Sequence, residues 1–259
     1  RHALAARHGM NQPAPAIDGI INLDKPTGIT SAKALYRVRS ITRVRKSGHA
    51  GTLDPGADGV LILCQGKATK LVEQIMDLPK VYRASARLDV TSESFDSDRP
   101  LIDVPVASPP DEMRVREALA EFTGIISQVP PRISAVKLGG VPAYKTAGDA
   151  DAPPMRAREA MIYWTHLHAY DWPNVDFEMA CGRGTYVRAI IRDWGIKLNT
   201  GGCLTSLRRT AVGPFVADDG WSFDRIQSAG SDMPYLIPLE SARKMVSRRP
   251  VVIPERPVT

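Results

Sequence analysis

The segment Gly48-His49-Ala50-Gly51-Thr52-Leu53-Asp54-Pro55-Gly56-Ala57-Asp58-Gly59 stands directly before an apolar run at 60–64. Its four glycines permit positive φ angles and a close approach of the backbone to a ligand. Pro55 restricts the preceding residue to an extended conformation, so the Asp54 carboxylate is held in one direction. Because Asp-Pro and Asp-Gly steps are common in turns, the segment alone favours a carboxylate that only caps a turn over a functional one.

A second polar segment follows an alternating strand pattern at 175–181 and leads through Gly182-Arg183-Gly184 into a helical pattern at 186–198. Thr185 is expected to cap this helix, which places Arg188 in its first turn. The helix dipole opposes a cation there by roughly 0.3–1 kcal/mol, so Arg188 is expected to face a carboxylate or a phosphate. Arg192, one turn later, is either an ordinary solvated residue or a phosphate contact.

The remaining periodicities predict an α+β fold. Strand-like alternation occurs at 81–90 as well as at 175–181, and helical spacing occurs at 31–45 and 113–122 as well as at 186–198. Half-buried alternating strands favour a mixed, mostly antiparallel central sheet flanked by helices over a parallel doubly wound sheet. Nine prolines between 100 and 154 indicate surface loops around the second helix.

Composition excludes several classes of protein. The chain has 259 residues, of which 43% are hydrophobic and 24% charged, so a disordered or collagen-like chain is excluded. Its longest apolar run is far shorter than the ~20 residues that span a bilayer. Three cysteines, Cys64, Cys181 and Cys203, are widely separated and odd in number. This argues against a disulfide framework or a zinc site and favours a reducing cytosol.

The net charge of +6 is unevenly distributed along the chain. Residues 30–50 hold six Lys or Arg and no acid, and residues 183–209 hold six against one acid. Between these basic blocks, residues 89–121 hold nine acids against three bases. The pattern is compatible with a positive face that neutralises phosphates, and about equally with solvated helix faces that bind nothing.

Several motifs together resemble one known family. In order and approximate spacing, from about 18 to 215, the chain resembles the TruB-type tRNA pseudouridine synthases. The matching segments are Gly19-Ile-Ile-Asn-Leu-Asp-Lys-Pro-Thr-Gly-Ile-Thr-Ser31, Lys46-Ser-Gly-His-Ala-Gly-Thr-Leu-Asp-Pro55, Gly66-Lys-Ala-Thr-Lys70, Lys80-Val-Tyr82, Pro130-Pro-Arg-Ile-Ser-Ala-Val-Lys137, Gly184-Thr-Tyr-Val-Arg188 and Leu207-Arg-Arg-Thr210.

The resemblance implies the pseudouridine synthase fold with a thumb-like insertion at about 126–155, and an isomerase that needs no metal or other cofactor. Its substrate would be the T-loop uridine of tRNA, conventionally position 55, which is flipped out and converted to its C5-glycoside. The partner would be the T-arm of tRNA, and the enzyme would be a cytoplasmic monomer without a protein partner.

The resemblance also implies three catalytic residues. Asp54 would be the catalytic carboxylate, acting by addition to the uracil ring or by removal of a sugar proton, and Arg188 would pair with it. Tyr82 would stack on the flipped base and accept the C5 proton, although a core aromatic at a strand start is the alternative interpretation. Tyr186 matches a second aromatic of the family's pocket and could equally belong to the core.

Substrate-binding residues follow from the same motifs. His49 would support the flipped nucleotide or its neighbours. Lys25 and Lys70 would contact phosphates, with ordinary solvated lysines as the alternative. Four further arginines are candidates for contacts to the RNA backbone only: Arg37, Arg39, Arg43 and Arg45.

The resemblance divides the chain into an N-terminal extension at 1–17, expected to be disordered, a catalytic domain at 18–240 and a short tail at 241–259. Too few residues follow Phe215 for the complete PUA-like RNA-binding domain that many members carry. The insertion has Tyr144-Lys-Thr-Ala-Gly148 where an arginine is usual, and Leu88-Asp89 stands in place of Leu-Gly. These departures bear on affinity for whole tRNA rather than on chemistry.

Two other functions are compatible with the sequence. The basic blocks and the altered insertion also fit an RNA-binding or tRNA-folding chaperone whose catalysis is secondary or lost. A synthase that acts within a guide-RNA particle is a further alternative, which the short tail without a long basic extension disfavours.

Overall fold

The computed structural model describes residues 17–133, 137–138, 141–142 and 154–247. All of the predicted extension at 1–17 except Ile17 lies outside these residues, as do most of the insertion at 126–155 and the last part of the tail at 241–259. The helices are α1 Ser31–Thr42, α2 Val72–Asp77, α3 Glu112–Ala120, α4 Val187–Leu198, α5 Phe223–Ser228 and α6 Leu239–Val246. The strands are β1 Gly19–Lys25, β2 Ser47–Ala50, β3 Asp58–Gln65, β4 Lys80–Arg87, β5 Val90–Thr91, β6 Ile102–Asp103, β7 Gly124–Gln128, β8 Lys137–Leu138, β9 Val141–Pro142, β10 Arg158–Asp171, β11 Asn174–Cys181, β12 Cys203–Val212, β13 Phe215–Val216 and β14 Ile237–Pro238.

A ten-stranded sheet forms the centre of the molecule, in the order β14-β1-β3-β12-β4-β11-β10-β7, with β2 beside β3 and β13 beside β12. Within the described residues, its strand pairings are antiparallel except for a short parallel contact between β3 and β12. The predicted α+β class with a mixed, mostly antiparallel sheet is therefore confirmed.

The alternating patterns become strands with one buried face. In β4, Tyr82, Ala84 and Ala86 pack into the main core while Arg83 is exposed. The predicted strand at 81–90 is interrupted after Arg87. The next position in register pairs Leu88 with Pro173, and there the Leu88 N–H donates to the Pro173 carbonyl oxygen, but proline has no N–H to donate in return. Residues 90–91 then form the separate strand β5.

The helices pack on this sheet by the faces that their spacing predicts. In α4, Trp194 is fully buried and packs edge-on against Phe177 of β11, with ring centroids 5.5 Å apart. The predicted helix at 31–45 ends earlier, at Thr42, because Arg43 takes the left-handed conformation at φ 59° that terminates helices.

The parallel contact between β3 and β12 sets the position of the polar loop that precedes β3. Gly59 pairs with Arg209 at φ 97°, and a Cβ at this position would lie 2.2 Å from the Arg209 carbonyl oxygen. Glycine is therefore required for the two strands to approach this closely. The contact places the loop at 51–57 beside β12.

Helix α6 packs on a second, smaller core through Ala242 and Val246. It runs through the boundary at 240 that the family resemblance suggested for the catalytic domain. Within the described residues, no helix is both long enough and apolar enough to cross a membrane.

Candidate active site

The two polar segments singled out in the sequence meet at one cavity of about 440 Å³. The loop at 49–54 forms one wall and the turn at 182–188 forms the opposite wall. Tyr82 and Lys80 of β4 and Arg209 of β12 also line it. The cavity is thus built from segments far apart in sequence that the central sheet brings together.

Asp54 and Arg188 form an ion pair across this cavity, with 2.8 Å between Arg188 Nη2 and Asp54 Oδ2. The arginine side chain is only 6% exposed, whereas the aspartate side chain is 39% exposed. Among the described residues, Asp54 Oδ1 has no hydrogen-bond partner. One carboxylate oxygen is therefore fixed by a buried cation while the other remains available to a ligand.

The Asp54 backbone does form a turn, since its carbonyl oxygen accepts a hydrogen bond from the Ala57 N–H at 3.1 Å. Its side chain does not cap that turn but pairs with Arg188. The Asp-Pro segment therefore forms a turn through its backbone, while its carboxylate is directed to Arg188.

Two contacts from the first motif hold this loop in place. The buried Ser31 hydroxyl donates to the Leu53 carbonyl oxygen at 3.0 Å and accepts from the Leu53 N–H at 2.8 Å. The Gly28 N–H donates to the Pro55 carbonyl oxygen at 2.8 Å. Asp54 therefore lies between two residues whose backbones are each anchored.

Arg188 has further acceptors besides Asp54. Its Nη1 donates to the carbonyl oxygens of Ser94 at 3.2 Å and Ile133 at 2.9 Å. Asp96 lies nearby, where burial and Asp98 raise its pKa and the positive charge of Arg188 opposes that shift. The guanidinium is thus fixed by neutral carbonyls on one side and by a carboxylate on the other.

The first turn of α4 differs from the prediction. Tyr186, rather than Thr185, occupies the N-cap position, and no side chain caps from there. The Thr185 hydroxyl instead donates to the Gly182 carbonyl oxygen at 3.2 Å and closes the preceding turn. Arg188 is still in the first helical turn, as predicted.

Tyr82 lies at the floor of the cavity, almost fully buried. Its hydroxyl accepts a hydrogen bond from Arg209 Nη1 at 3.5 Å. Burial raises the pKa of the Tyr82 hydroxyl, and the nearby charge of Arg209 opposes that shift. The phenol is therefore protonated at neutral pH.

Arg209 is a residue of the cavity that the sequence analysis did not single out. It is 1% exposed, with Nε donating to the Val60 carbonyl oxygen at 2.7 Å and Nη2 to that of Gly51 at 3.0 Å. Its place in the Leu207-Arg-Arg-Thr210 motif was the available signal. Strand alternation does not reveal which of two adjacent arginines points inward when neighbouring strands are unknown.

His49 and Tyr186 both line the cavity. Burial, and secondarily the charge of Arg209, lower the pKa of His49, so its imidazole is neutral at neutral pH. His49 Nδ1 is buried without a hydrogen-bond partner among the described residues. Tyr186 is half-buried at the cavity wall and lies outside the hydrophobic core clusters of the described residues.

The two lysines expected to contact phosphates are placed differently from each other. Lys25 is fully buried, and its ammonium donates to the carbonyl oxygens of Pro26 at 2.9 Å and Ile29 at 3.0 Å. Burial lowers the pKa of Lys25 to about 8. Since its donors face the loop at 26–29, Lys25 stabilises the segment that anchors Pro55 instead of presenting a charge to solvent.

Lys70 is exposed on the 3₁₀ helix Gly66–Leu71 and does not line the cavity. Among the helix α1 arginines, Arg37 stacks on the Phe223 ring at 4.3 Å and pairs with Asp224 at 3.6 Å. Arg39 lies over the ring of Tyr36 at 5.4 Å. Arg43 and Arg45 are exposed. Of the predicted site residues, the structure thus brings together His49, Asp54, Tyr82, Tyr186 and Arg188 around the cavity, and neither Lys25 nor Lys70 lines it.

The arrangement suits chemistry by a positioned carboxylate. Asp54 can act on a bound molecule as a nucleophile or a base, while Arg188 orients it and a neutral phenol and a neutral imidazole surround the cavity. Within the described part of the chain, no group of three His, Cys, Asp or Glu side chains is arranged to hold a metal ion.

Comparison with known proteins gives a consistent set of relatives. A family model described as the TruB family pseudouridylate synthase N-terminal domain matches residues 39–187. The tRNA pseudouridine synthase B of Burkholderia pseudomallei (strain 668) is 41% identical over 217 residues, covering 84% of this chain and 72% of that protein. The tRNA pseudouridine synthase B of Thermobifida fusca is 39% identical over 225 residues, covering 84% of this chain and 77% of that protein.

Among solved structures, a chain of a Cbf5-Nop10-Gar1 complex matches with a TM-score of 0.68 and 29% identity. The match covers 89% of this chain and 63% of that chain, so the present chain spans less than two thirds of its solved relative. The fold, the order of the motifs and the extent of these matches agree that the chain belongs to the TruB family of pseudouridylate synthases.

Proposed function

We propose that this chain converts the T-loop uridine at position 55 of tRNA into pseudouridine, with Asp54 as the catalytic carboxylate. One observation carries the proposal: the Asp54 carboxylate is held by buried Arg188 at 2.8 Å, is 39% exposed and lines a cavity of about 440 Å³. Cavities of this size accommodate a small ligand or a single flipped nucleotide. The names of the curated relatives support uridine in tRNA as the substrate.

The reaction is an isomerisation in which atoms and electrons balance without a further reactant. The bond between C1′ and N1 breaks, the base turns in the cavity, and C1′ bonds to C5. The C5 hydrogen leaves as a proton, and N1 gains one. Asp54 starts this sequence either by addition to the ring or by removal of a sugar proton, and both routes use the oxygen that Arg188 leaves open.

The other residues of the cavity have roles that fit a flipped base. Extrusion from a folded loop costs a few kcal/mol of stacking, which contacts in the cavity must offset. The neutral ring of His49 and the ring of Tyr186 stand at the wall where such contacts form. We assign transfer of the C5 proton to the Tyr82 hydroxyl, which accepts from Arg209. Because this phenol is protonated at neutral pH, it takes the C5 proton as it passes its own proton to N1 or to solvent.

We place the enzyme in the cytoplasm, where it acts as a monomer on the T-arm through a catalytic domain at 18–240. The three free, buried cysteines are compatible with a reducing compartment. The relatives named tRNA pseudouridine synthase B favour tRNA over a guide-RNA particle as the setting. Mapping pseudouridines in cells that lack the protein tests this choice, because loss confined to tRNA position 55 is expected.

The test of the catalytic assignment is Asp54→Asn, assayed by tritium release from T-loop RNA labelled at uridine C5. We expect pseudouridine formation to fall by at least about 10³-fold, with the tRNA dissociation constant within a few-fold of wild type. Asp219→Asn, an exposed carboxylate outside the cavity, is the matched control and should retain wild-type turnover. Wild-type turnover by Asp54→Asn would reject the assignment.

The same variant separates catalysis from tRNA folding. If Asp54→Asn rescues a tRNA-maturation defect as well as wild type does, the chaperone alternative accounts for the biological role. If the rescue disappears together with turnover, the isomerase accounts for it.

A further inference from the structure

The buried side chain of Gln128 forms a two-point contact with the backbone at the start of α4. Its Oε1 accepts a hydrogen bond from the Tyr186 N–H at 2.8 Å, and its Nε2 donates to the Tyr186 carbonyl oxygen at 3.1 Å. Gln128 is 2% exposed and does not line the cavity. The side-chain amide of Gln128 therefore makes the same two hydrogen bonds to the Tyr186 backbone that a residue of a neighbouring antiparallel strand would make.

This contact fixes the backbone of the residue at the N-cap position of α4. No side chain at the N-cap position of α4 accepts from the first-turn N–H groups. The chain enters the helix through Gly184, whose φ of 84° is a conformation that few other residues adopt. Thr185 is turned towards Gly182, and Gln128 holds both backbone polar groups of Tyr186.

The fixed point lies close to the proposed catalytic pair. Arg188 is two residues beyond Tyr186 in the same helical turn, and its guanidinium is 2.8 Å from Asp54. Gln128 is anchored in turn, because it ends strand β7 and pairs with Arg158 of β10 in the main sheet. A displacement of the first turn would therefore move the Arg188 guanidinium relative to Asp54.

We propose that Gln128 is a positioning residue for the Asp54–Arg188 pair, acting through the backbone of Tyr186. The inference rests on the proposed function for its catalytic consequence, although not for its geometry. Misplacement of a catalytic group by about 1 Å can lower a rate by about 100-fold. Buried hydrogen bonds from residues on sheet strands prevent such misplacement, because the strands are rigid.

The decisive variant is Gln128→Met, which keeps the length of the side chain and loses both hydrogen bonds. In single-turnover assays on T-arm RNA, we expect pseudouridine formation to slow by about 10- to 100-fold while the dissociation constant for RNA changes by less than about threefold. Gln128→Glu keeps an acceptor for the Tyr186 N–H and can donate to the Tyr186 carbonyl oxygen only while its carboxyl is protonated, so its rate should fall as the pH rises through the pKa of that carboxyl.

Thr165→Val is the matched control for stability. Thr165 is 7% exposed, and its hydroxyl donates to the Leu119 carbonyl oxygen at 3.3 Å, away from the cavity. This variant also removes a buried bond between a side chain and the backbone, so its thermal unfolding midpoint should fall while its catalytic rate stays at the wild-type value. A rate loss in Thr165→Val as large as that in Gln128→Met would mean that Gln128 acts through general stability, and would overturn the proposal.

A double-mutant cycle with Arg188→Lys tests the route of the effect. If Gln128 acts through Arg188, adding Gln128→Met to Arg188→Lys should slow the reaction by less than about threefold more. Fully multiplied losses, or a wild-type rate in Gln128→Met alone, would overturn the proposal.

A crystal structure of Gln128→Met supplies a readout that does not depend on activity. We expect Arg188 Nη2 to move out of hydrogen-bond distance from Asp54, and an unchanged ion pair would overturn the proposal. If wild-type protein makes no pseudouridine in T-arm RNA, the proposed function fails instead. This structure then still decides whether Gln128 positions Arg188.

Discussion

At the scale of single residues, the cavity contains two buried arginines held in different ways. Arg188 is paired with the carboxylate of Asp54, whereas Arg209 donates mainly to backbone carbonyl oxygens of Gly51 and Val60. Arg209 joins the loop before Asp54 to strand β12 and also reaches the Tyr82 hydroxyl. Its role is therefore to hold the two sides of the cavity together, in addition to placing a positive charge beneath the substrate.

Arg209→Met should strongly destabilise the protein, by about 3 kcal/mol or more, because several buried carbonyl groups lose their donor at once. Arg208→Met is the control, since the neighbouring side chain is 39% exposed and pairs with Asp24 and Asp58 at the surface. Its cost should be about 1 kcal/mol. Urea unfolding measures both, and equal costs would contradict the role given to Arg209.

Titration of the buried His49 should make the stability of the folded protein depend on pH. Burial and the charge of Arg209 lower its pKa in the folded protein, so the unfolded chain takes up a proton first as the pH falls below about 6.5. Stability that is fully present above this pH should therefore decline below it. His49→Gln, which does not titrate, should lose less stability between pH 7 and pH 5 than wild type, as measured by denaturant unfolding. Parallel pH profiles for the two proteins would reject the prediction.

At the scale of elements, the short helix α2 is held by residues that follow it in the chain. A six-residue helix is not stable alone. Lys80 donates to the carbonyl oxygens of Met76 and Leu78 at its C-terminal end, and Arg183 pairs with both Glu73 and Asp77 at 2.9 Å. These contacts attach α2 to the edge of the cavity, where Met76 is part of the lining.

Lys80 gives this attachment a measurable pH dependence. Burial lowers the pKa of Lys80 to about 8, compared with an ordinary value of 10.5. Between these two values the unfolded chain holds a proton that the folded protein has released, so wild-type stability should rise with pH relative to Lys80→Met. Denaturant unfolding of both proteins from pH 8 to pH 10.5 checks this. A constant difference would show that the lysine is not titrating in this range.

The elements also show how far the sequence predicts the structure. Helices α1, α3 and α4 and strands β4 and β11 were predictable, because each buries one regular face. The pairing of β3 with β12 was not, since it depends on Gly59 meeting Arg209 across a long sequence separation. The helix dipole indicated that Arg188 would face a carboxylate or a phosphate, and the family resemblance named Asp54 as that carboxylate. The burial of Lys25 and the inward position of Arg209 were not predicted, because they depend on contacts between segments far apart in sequence.

At the scale of the whole molecule, the arginines fall into two groups, one buried at the cavity and one exposed at the surface. Arg188 and Arg209 are buried at the cavity, whereas Arg43 and Arg45 are exposed beyond the end of α1. The buried charges are fixed by protein partners at the cavity where, under the proposed function, the base would bind. The exposed ones are free to neutralise phosphates of a folded RNA, which would position the substrate without reading its sequence.

This division predicts the salt dependence of tRNA binding. Affinity should fall linearly on a log–log plot against salt concentration, because each neutralised phosphate releases counterions. The double variant Arg43→Asn/Arg45→Gln should reduce the slope by about 1.5 to 2 and leave the single-turnover rate at saturating enzyme unchanged. Asparagine is chosen at position 43 because it tolerates the φ of 59° found there.

The control is Arg243→Gln on α6. The charge of Arg243 is paired with Glu240 at 2.8 Å, so its removal should not alter the slope. Filter-binding titrations at several salt concentrations measure all three proteins. An unchanged slope in the double variant would show that the basic segment after α1 does not contact RNA, and would leave the positive face of the molecule to the residues around the cavity.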